Sequence, residues 1–101
     1  MIHAIATIEL KPGKRADYLE AFIANVPAVL QEEGCIEYTP TVDHDSGIHT
    51  QYKNENVVTV IEKWETIDNL KAHMDAGHMH KFREKTDPFV QGVTLTILEN
   101  A

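Results

Sequence analysis

The feature that most constrains this chain is the order in which two hydrophobic periods follow one another. Four stretches repeat every second residue, as half-buried strands do, and two longer stretches repeat every third or fourth, as amphipathic helices do. The first strand is Ile2 to Leu10, with Ile2, Ala4, Ala6, Ile8 and Leu10 on one face. Lys11-Pro12-Gly13-Lys14 then forms a turn, proline fixing one dihedral and glycine accepting a positive φ. In the helix that follows, Leu19, Phe22, Ile23, Val26 and Leu30 form the predicted apolar stripe, Pro27 predicts a kink or restart with Asn25 as a cap, and Gly34 ends it. Cys35 to Asp43 reads as a second strand, placed at the sheet edge because Pro40 removes a ladder donor.

Asp45-Ser46-Gly47 and Lys53 to Asn56 bracket a polar segment and predict an extended hairpin leading to the third strand. That strand, Val57 to Glu65, puts Val58, Val60, Glu62 and Trp64 on one side, and its apolar content marks it as central. Thr66 caps the next helix, with Asp68 near its positive end and Ile67, Leu70 and Met74 as its stripe. Gly77 interrupts this helix, a second piece runs from about His78 to Phe89 with Phe82 inward and Pro88 near the exit, and Val93, Leu95, Ile97 and Glu99 share one face of a last strand.

The resulting order is β-α-β-β-α-β. Right-handed crossovers place both helices on one face of a four-stranded antiparallel sheet and leave the other face bare. Because that face also carries Ile, Val and Leu, the expected remedy is a homodimer, or a higher oligomer built from it, with sheets packed across a two-fold axis and the polar hairpin reaching the neighbouring subunit.

The 101 residues fit one domain spanning 1–101 with a real core. Acidic residues outnumber basic ones 16 to 9, and no Lys/Arg stripe exists for a phosphate backbone, so nucleic acid is not an expected partner. No apolar run approaches a membrane span and the chain opens directly into a strand rather than a targeting segment, so no membrane partner is expected and the predicted location is the cytoplasm. The single Cys35 cannot form an intrachain disulfide and reads as a small core residue.

No phosphate-cradling glycine motif, nucleophile elbow or zinc spacing is present, so neither a nucleotide cofactor nor a metal is expected. Six histidines remain. His44, His49 and His80 read as solvated surface. His78 and His80 would point about 200° apart on a helix. His73 and His78 would stand about 140° apart on a continuous helix, although the break at Gly77 can bring them together. His73 flanks the buried stripe and Trp64 ends the central strand, so both approach the space between helix and sheet. A neutral imidazole there serves as a base near pH 7, and an indole N–H can donate to a developing oxyanion. Packing explains the same pair. Tyr38 and Tyr52 can offer phenolic hydrogen bonds, or simply sit at a sheet edge.

The segments Lys11-Pro12-Gly13-Lys14, Glu33-Gly34-Cys35-Ile36-Glu37-Tyr38, Glu62-Lys63-Trp64-Glu65, and Ala72-His73 followed by Gly77-His78 and Lys81-Phe82, together resemble the successive signatures of the antibiotic biosynthesis monooxygenase family. The resemblance covers nearly the whole chain. It implies a ferredoxin-like α+β protomer paired into a dimeric α/β barrel, and cofactor-free oxidation of a quinol-like or other electron-rich phenol by dioxygen. Carried over by position, Trp64, His73 and His78 line the cavity as the resemblance implies, with His73 the base or hydrogen-bond partner and Trp64 an orienting donor, while His78 can instead be a cap or an interface residue. Tyr38, Met74 and Phe82, with His78, are the expected contacts to a small aromatic substrate. The stretch between Cys35 and Trp64 is longer than the common family pattern. Haem-degrading relatives use an Asn, Trp and His set, and the first strand here offers Ala4, Ala6 and Thr7 without asparagine, which disfavours haem. Two rival readings share the fold: an isomerase or decarboxylase using the same base without dioxygen, and a ligand-binding or stress-response dimer without chemistry.

Overall fold

Residues 1–101 are described by a computed structural model. The elements are β1 (Ile2–Leu10), α1 (Arg15–Leu30), β2 (Cys35–Thr41), β3 (Val57–Trp64), α2 (Ile67–Met74), α3 (Gly77–Thr86), a 3₁₀ turn (Asp87–Phe89) and β4 (Val90–Glu99). The strands form one antiparallel sheet in the order β2-β3-β1-β4. This is the ferredoxin-like α+β arrangement expected from the element order. β2 is an edge strand, so the missing N–H of Pro40 is tolerated, and β3 lies inside between β2 and β1.

Register assigns the two faces. Ala4, Ala6 and Ile8 stand beside Glu62, Val60 and Val58 on one side and beside Ile97, Leu95 and Val93 on the other. These residues share the face on which the helices pack, and α1 contacts β2, β3 and α3. The opposite face carries Ile5, Ile61 and Leu98 among threonines, with Ile61 and Leu98 exposed and no helix over them.

Several expectations about the helices need correction. The inward side of α1 is Tyr18, Ala21, Phe22 and Val29, whereas Ile23 and Leu30 of the predicted stripe are exposed. The helix is rotated toward its aromatic residues, because Tyr18 and Phe22 pack with Phe82, their ring centroids 5.9 and 5.7 Å from it. Pro27 neither breaks nor restarts the helix, which runs unbroken from Arg15 to Leu30. Pro27 and Ile23 both face solvent, so water can take over the Ile23 carbonyl that lost its partner. Asn25 is no cap; its Nδ2 donates to Met79 Sδ at 3.3 Å and ties α1 to α3. In α2 the buried residues are Leu70 and His73, while Ile67 and Met74 are exposed.

Thr66 does cap α2, its Oγ1 accepting from the Asn69 N–H at 3.1 Å. α1 closes at Leu30, four residues before Gly34, and a turn leads to that glycine. Gly34 has φ +77°, and a Cβ there would collide with the Asn69 side chain, so glycine is required both by conformation and by the approach of α2. The predicted hairpin is absent. Residues 42–56 contain no strand and form a loop held by its own polar groups: the Asn54 N–H donates to Asp43 Oδ2 at 2.6 Å and Gln51 Nε2 donates to the His44 carbonyl at 2.7 Å. With hydrogen-bonding side chains this dense, local bonds displace a ladder.

Candidate active site

Between the helices and the inner sheet face lies a cavity of about 200 Å³. For scale, an engineered apolar cavity of about 150 Å³ binds benzene. Its floor is Ala4, Ala6 and Ile8 of β1, where two alanines leave room that larger side chains would fill. Tyr18 and Phe22 of α1, His73 and Met74 of α2, and Phe82 of α3 form the roof. Val93, Leu95 and Ile97 of β4 line the remaining side, all three more than 40% exposed, so the cavity opens along that edge.

A few polar groups enter this apolar space. Glu62 lies on β3 in the inward register that Val58, Val60 and Trp64 also occupy, and is only 6% exposed. Its Oε1 accepts a 3.0 Å hydrogen bond from the Trp64 indole Nε1–H, while Oε2 has no protein partner. Burial raises the Glu62 carboxyl above its ordinary range; the indole bond opposes the rise, and the charge of Glu32 adds to it. His73 is 4% exposed, its Nδ1 lying 2.7 Å from Glu32 Oε2, and its Nε2 makes no hydrogen bond within the protein. A carboxylate accepts, so Nδ1 carries the proton and Nε2 is the free acceptor. Burial lowers the imidazole below its ordinary value, and the Glu32 hydrogen bond only partly offsets this. The Trp64 and Tyr38 rings hold the imidazole in place, with centroids 4.8 and 5.2 Å away. Tyr38 stacks in turn on Phe22 at 5.1 Å. Burial raises both Tyr18 and Tyr38, so their phenols remain neutral hydrogen-bonding groups.

The structure therefore brings His73, Tyr38, Met74 and Phe82 to one cavity. Trp64 is fully buried and absent from the wall, and its N–H is committed to Glu62; it positions a carboxylate and does not face a ligand. His78 also departs from expectation. It lines a separate shallow cleft with Asn25, Lys81 and Lys85, because α3 begins anew at Gly77 and aims that side chain away from the cavity. Its Nε2 lies 3.5 Å from Glu32 Oε2, within ion-pair range yet not in hydrogen-bonding geometry. Thus the helix break does bring His73 and His78 to one carboxylate.

Glu62, Glu32, Tyr18 and Arg83 were not singled out from the sequence. A signal existed for Glu62, since a carboxylate at the inward phase of a central strand breaks the apolar pattern. Glu32 sits in a turn and looks solvated in sequence. Arg83 lines the cavity while donating through Nη2 to the Met74 carbonyl at 2.8 Å. Burial pushes the Cys35 thiol up to about 11, against nucleophilic use. No three His, Cys, Asp or Glu side chains converge as a metal site, and no helix is long and apolar enough to cross a membrane.

Comparison with known proteins places these features in context. Residues 1–85 match the family model described as antibiotic biosynthesis monooxygenase. The chain is 37% identical over 101 residues to the probable quinol monooxygenase YgiN of Escherichia coli K12, covering 98% of this chain and 97% of that protein. Among solved structures, PA3566 from Pseudomonas aeruginosa superposes with a TM-score of 0.82 at 23% identity, covering 99% of this chain and 93% of that one. A crystal structure described as an antibiotic biosynthesis monooxygenase superposes with a TM-score of 0.82 at 20% identity, covering 100% and 99%. At these identities the superpositions establish the fold.

Proposed function

The chain belongs to the antibiotic biosynthesis monooxygenase family, and on that premise we propose that it oxidises a quinol-like phenol with dioxygen, without a cofactor, in the cavity beneath α2. The observation that carries this reading is the pairing of a free imidazole acceptor, His73 Nε2, with an otherwise apolar space sized for a small aromatic ring. The name of the E. coli relative supports the substrate class.

The chemistry asked of the protein is modest. His73 takes the phenolic proton, and the resulting anion passes one electron to dioxygen. The radical pair recombines at a ring carbon to give a peroxide; the O–O bond then breaks, one oxygen stays on carbon and the other leaves as water. Hydroquinone and dioxygen become hydroxyquinone and water, with no external reductant. Met74 and Phe82 hold the ring, and Tyr38 and the free oxygen of Glu62 offer hydrogen bonds to its second hydroxyl. Apolar walls keep bulk water from the radical pair and peroxide. Trp64 acts one step back by fixing Glu62. Residues such as Ile5, Ile61 and Leu98 on the bare sheet face support a second copy of the chain packing there, which sedimentation at micromolar concentration tests.

The test of the activity is dioxygen uptake with a panel of hydroquinones. Uptake with formation of a hydroxyquinone, lost in His73→Ala, supports the reading. Turnover of a carbonyl substrate without dioxygen would replace it with proton-shuttling isomerisation or decarboxylation, and tight binding without product would make the cavity a ligand store.

A further inference from the structure

The cavity's base is not isolated: its second nitrogen leads away from the substrate. His73 Nδ1 meets Glu32 Oε2 at 2.7 Å, and the same oxygen lies 3.5 Å from His78 Nε2. Glu32 is mostly enclosed, its side chain 17% exposed, and His78 is 31% exposed. His73 lines the cavity, whereas His78 lines the surface cleft beside Lys81 and Lys85. The three side chains come from the turn after α1, from α2 and from α3, so they span the wall between two spaces. Both ring nitrogens of His78 are shielded and without a hydrogen-bond partner, and Nε2 is the one that lies toward Glu32.

Building on the monooxygenase reading, we propose that His73, Glu32 and His78 form a proton conduit from the cavity to the surface cleft. When His73 Nε2 takes the phenolic proton, Nδ1–H passes its own to Glu32, and a rotation of the His78 ring that closes the 3.5 Å gap lets Glu32 hand it to His78. A small rotation of the partly exposed His78 ring releases that proton to water in the cleft. The peroxide formed next needs a proton: Nε2 supplies it, and the chain run in reverse returns one to Nδ1. The imidazole ends in its starting tautomer and the proton count closes. The second nitrogen thus gives the proton a route out on the helix side, away from the open β4 edge through which the substrate ring enters. Glu32 is a positioning residue in this scheme as well as a carrier, since its bond to Nδ1 is what turns Nε2 toward substrate.

The test has two arms. The first uses ¹⁵N NMR of the histidine rings and does not depend on turnover. Charged groups facing His73 are Glu32 from the turn and His78 and Arg83 from α3, with the uncharged Trp64 and Tyr38 rings against its faces. The expected result is an Nδ1–H tautomer for His73 in the unaltered protein, with Nε2–H appearing in Glu32→Gln once the carboxylate no longer holds the proton on Nδ1. An Nε2–H tautomer in the unaltered protein, or a His73 tautomer unmoved in Glu32→Gln, overturns the conduit. The second arm is kinetic. His78→Gln should keep the His73 tautomer yet lower kcat about tenfold in dilute buffer, with KM unchanged and with recovery on adding free imidazole; an unchanged rate in dilute buffer overturns the conduit. If no hydroquinone is oxidised at all, the functional reading has failed, and the NMR arm alone decides the conduit.

Discussion

The two halves of the inner sheet face obey the same alternation and have different fates. Over β2 and β3, Tyr38, Val58, Val60, Glu62 and Trp64 are all buried, with Trp64 and Val58 fully so. Over β4, Val93, Leu95 and Ile97 point to the same side and remain 42–56% exposed. The difference comes from the helices, since α1 packs on β2 and on α3 and the helical layer stops short of β4. One half is therefore rigid and holds the polar groups; the other is an apolar wall with an opening. A site for a planar substrate needs both, the first to fix geometry and the second to admit the ring.

The largest effect that can break this comparison lies in the closed half. Trp64→Ala removes a fully buried indole and strips Glu62 of its donor, so unfolding free energy should drop by about 3–5 kcal/mol in a denaturant melt. A loss below about 1 kcal/mol would show that the half described as rigid is able to collapse around the gap.

His73→Gln keeps a side chain of similar reach but removes the basic nitrogen. Turnover should fall on the order of a hundredfold, equivalent to about 2.7 kcal/mol in the barrier, with KM changed much less. Activity of the unaltered protein should fall as pH drops through the imidazole's pKa, which burial holds below its ordinary value of 6.5. A flat pH profile would move the base to another group. The open half sharpens the contrast from the other side. Leu95→Phe adds bulk to an exposed cavity wall, so KM should rise about tenfold, or about 1.4 kcal/mol, while stability moves by less than 1 kcal/mol. A large stability loss there would erase the distinction between the halves.

Much of this was legible in the sequence because strand alternation is a strong constraint. The inward residues of β1 and β3 and the edge position of β2, read from Pro40, follow from period and from proline chemistry alone. Helix rotation was less legible. The α1 stripe read from aliphatic residues chose Ile23 and Leu30 over Tyr18, since a tyrosine turns inward only where a cavity and aromatic partners receive it. His73 reads as a flank in sequence yet is, with Leu70, one of the two buried residues of α2, for the same reason: a ring counted as polar packs between Trp64 and Tyr38. Glu32 could not be found from spacing, since its role arises only when the Gly34 turn is drawn against α2. The 42–56 loop failed as a hairpin because Asp43, Ser46, Gln51 and Asn54 bond locally in place of a ladder.

The smallest effect is the most diagnostic of the closed half. Glu62 has a folded-state pKa raised above its ordinary value near 4.5, chiefly by burial. Its neutral form is therefore favoured by folding: the stabilisation is fully present below about 4.5 and is lost as pH rises through the raised folded value. His73 runs the other way. Its lowered pKa means stability present above 6.5 is lost as pH falls through the depressed folded value. Glu62→Gln preserves an oxygen for the Trp64 indole and removes the carboxylate titration, so at pH 8 it should exceed the unaltered protein in stability by on the order of 1 kcal/mol. At pH 4 the two should nearly converge, because the carboxyl is then mostly neutral in both folded and unfolded chains. Convergence assigns the cost to a charge held in an apolar cavity, a charge whose removal from water is the same property that would make Glu62 a strong hydrogen-bond partner for a phenol. A gap that persists at pH 4 would assign it to packing, and the closed half would then differ from the open one in density alone.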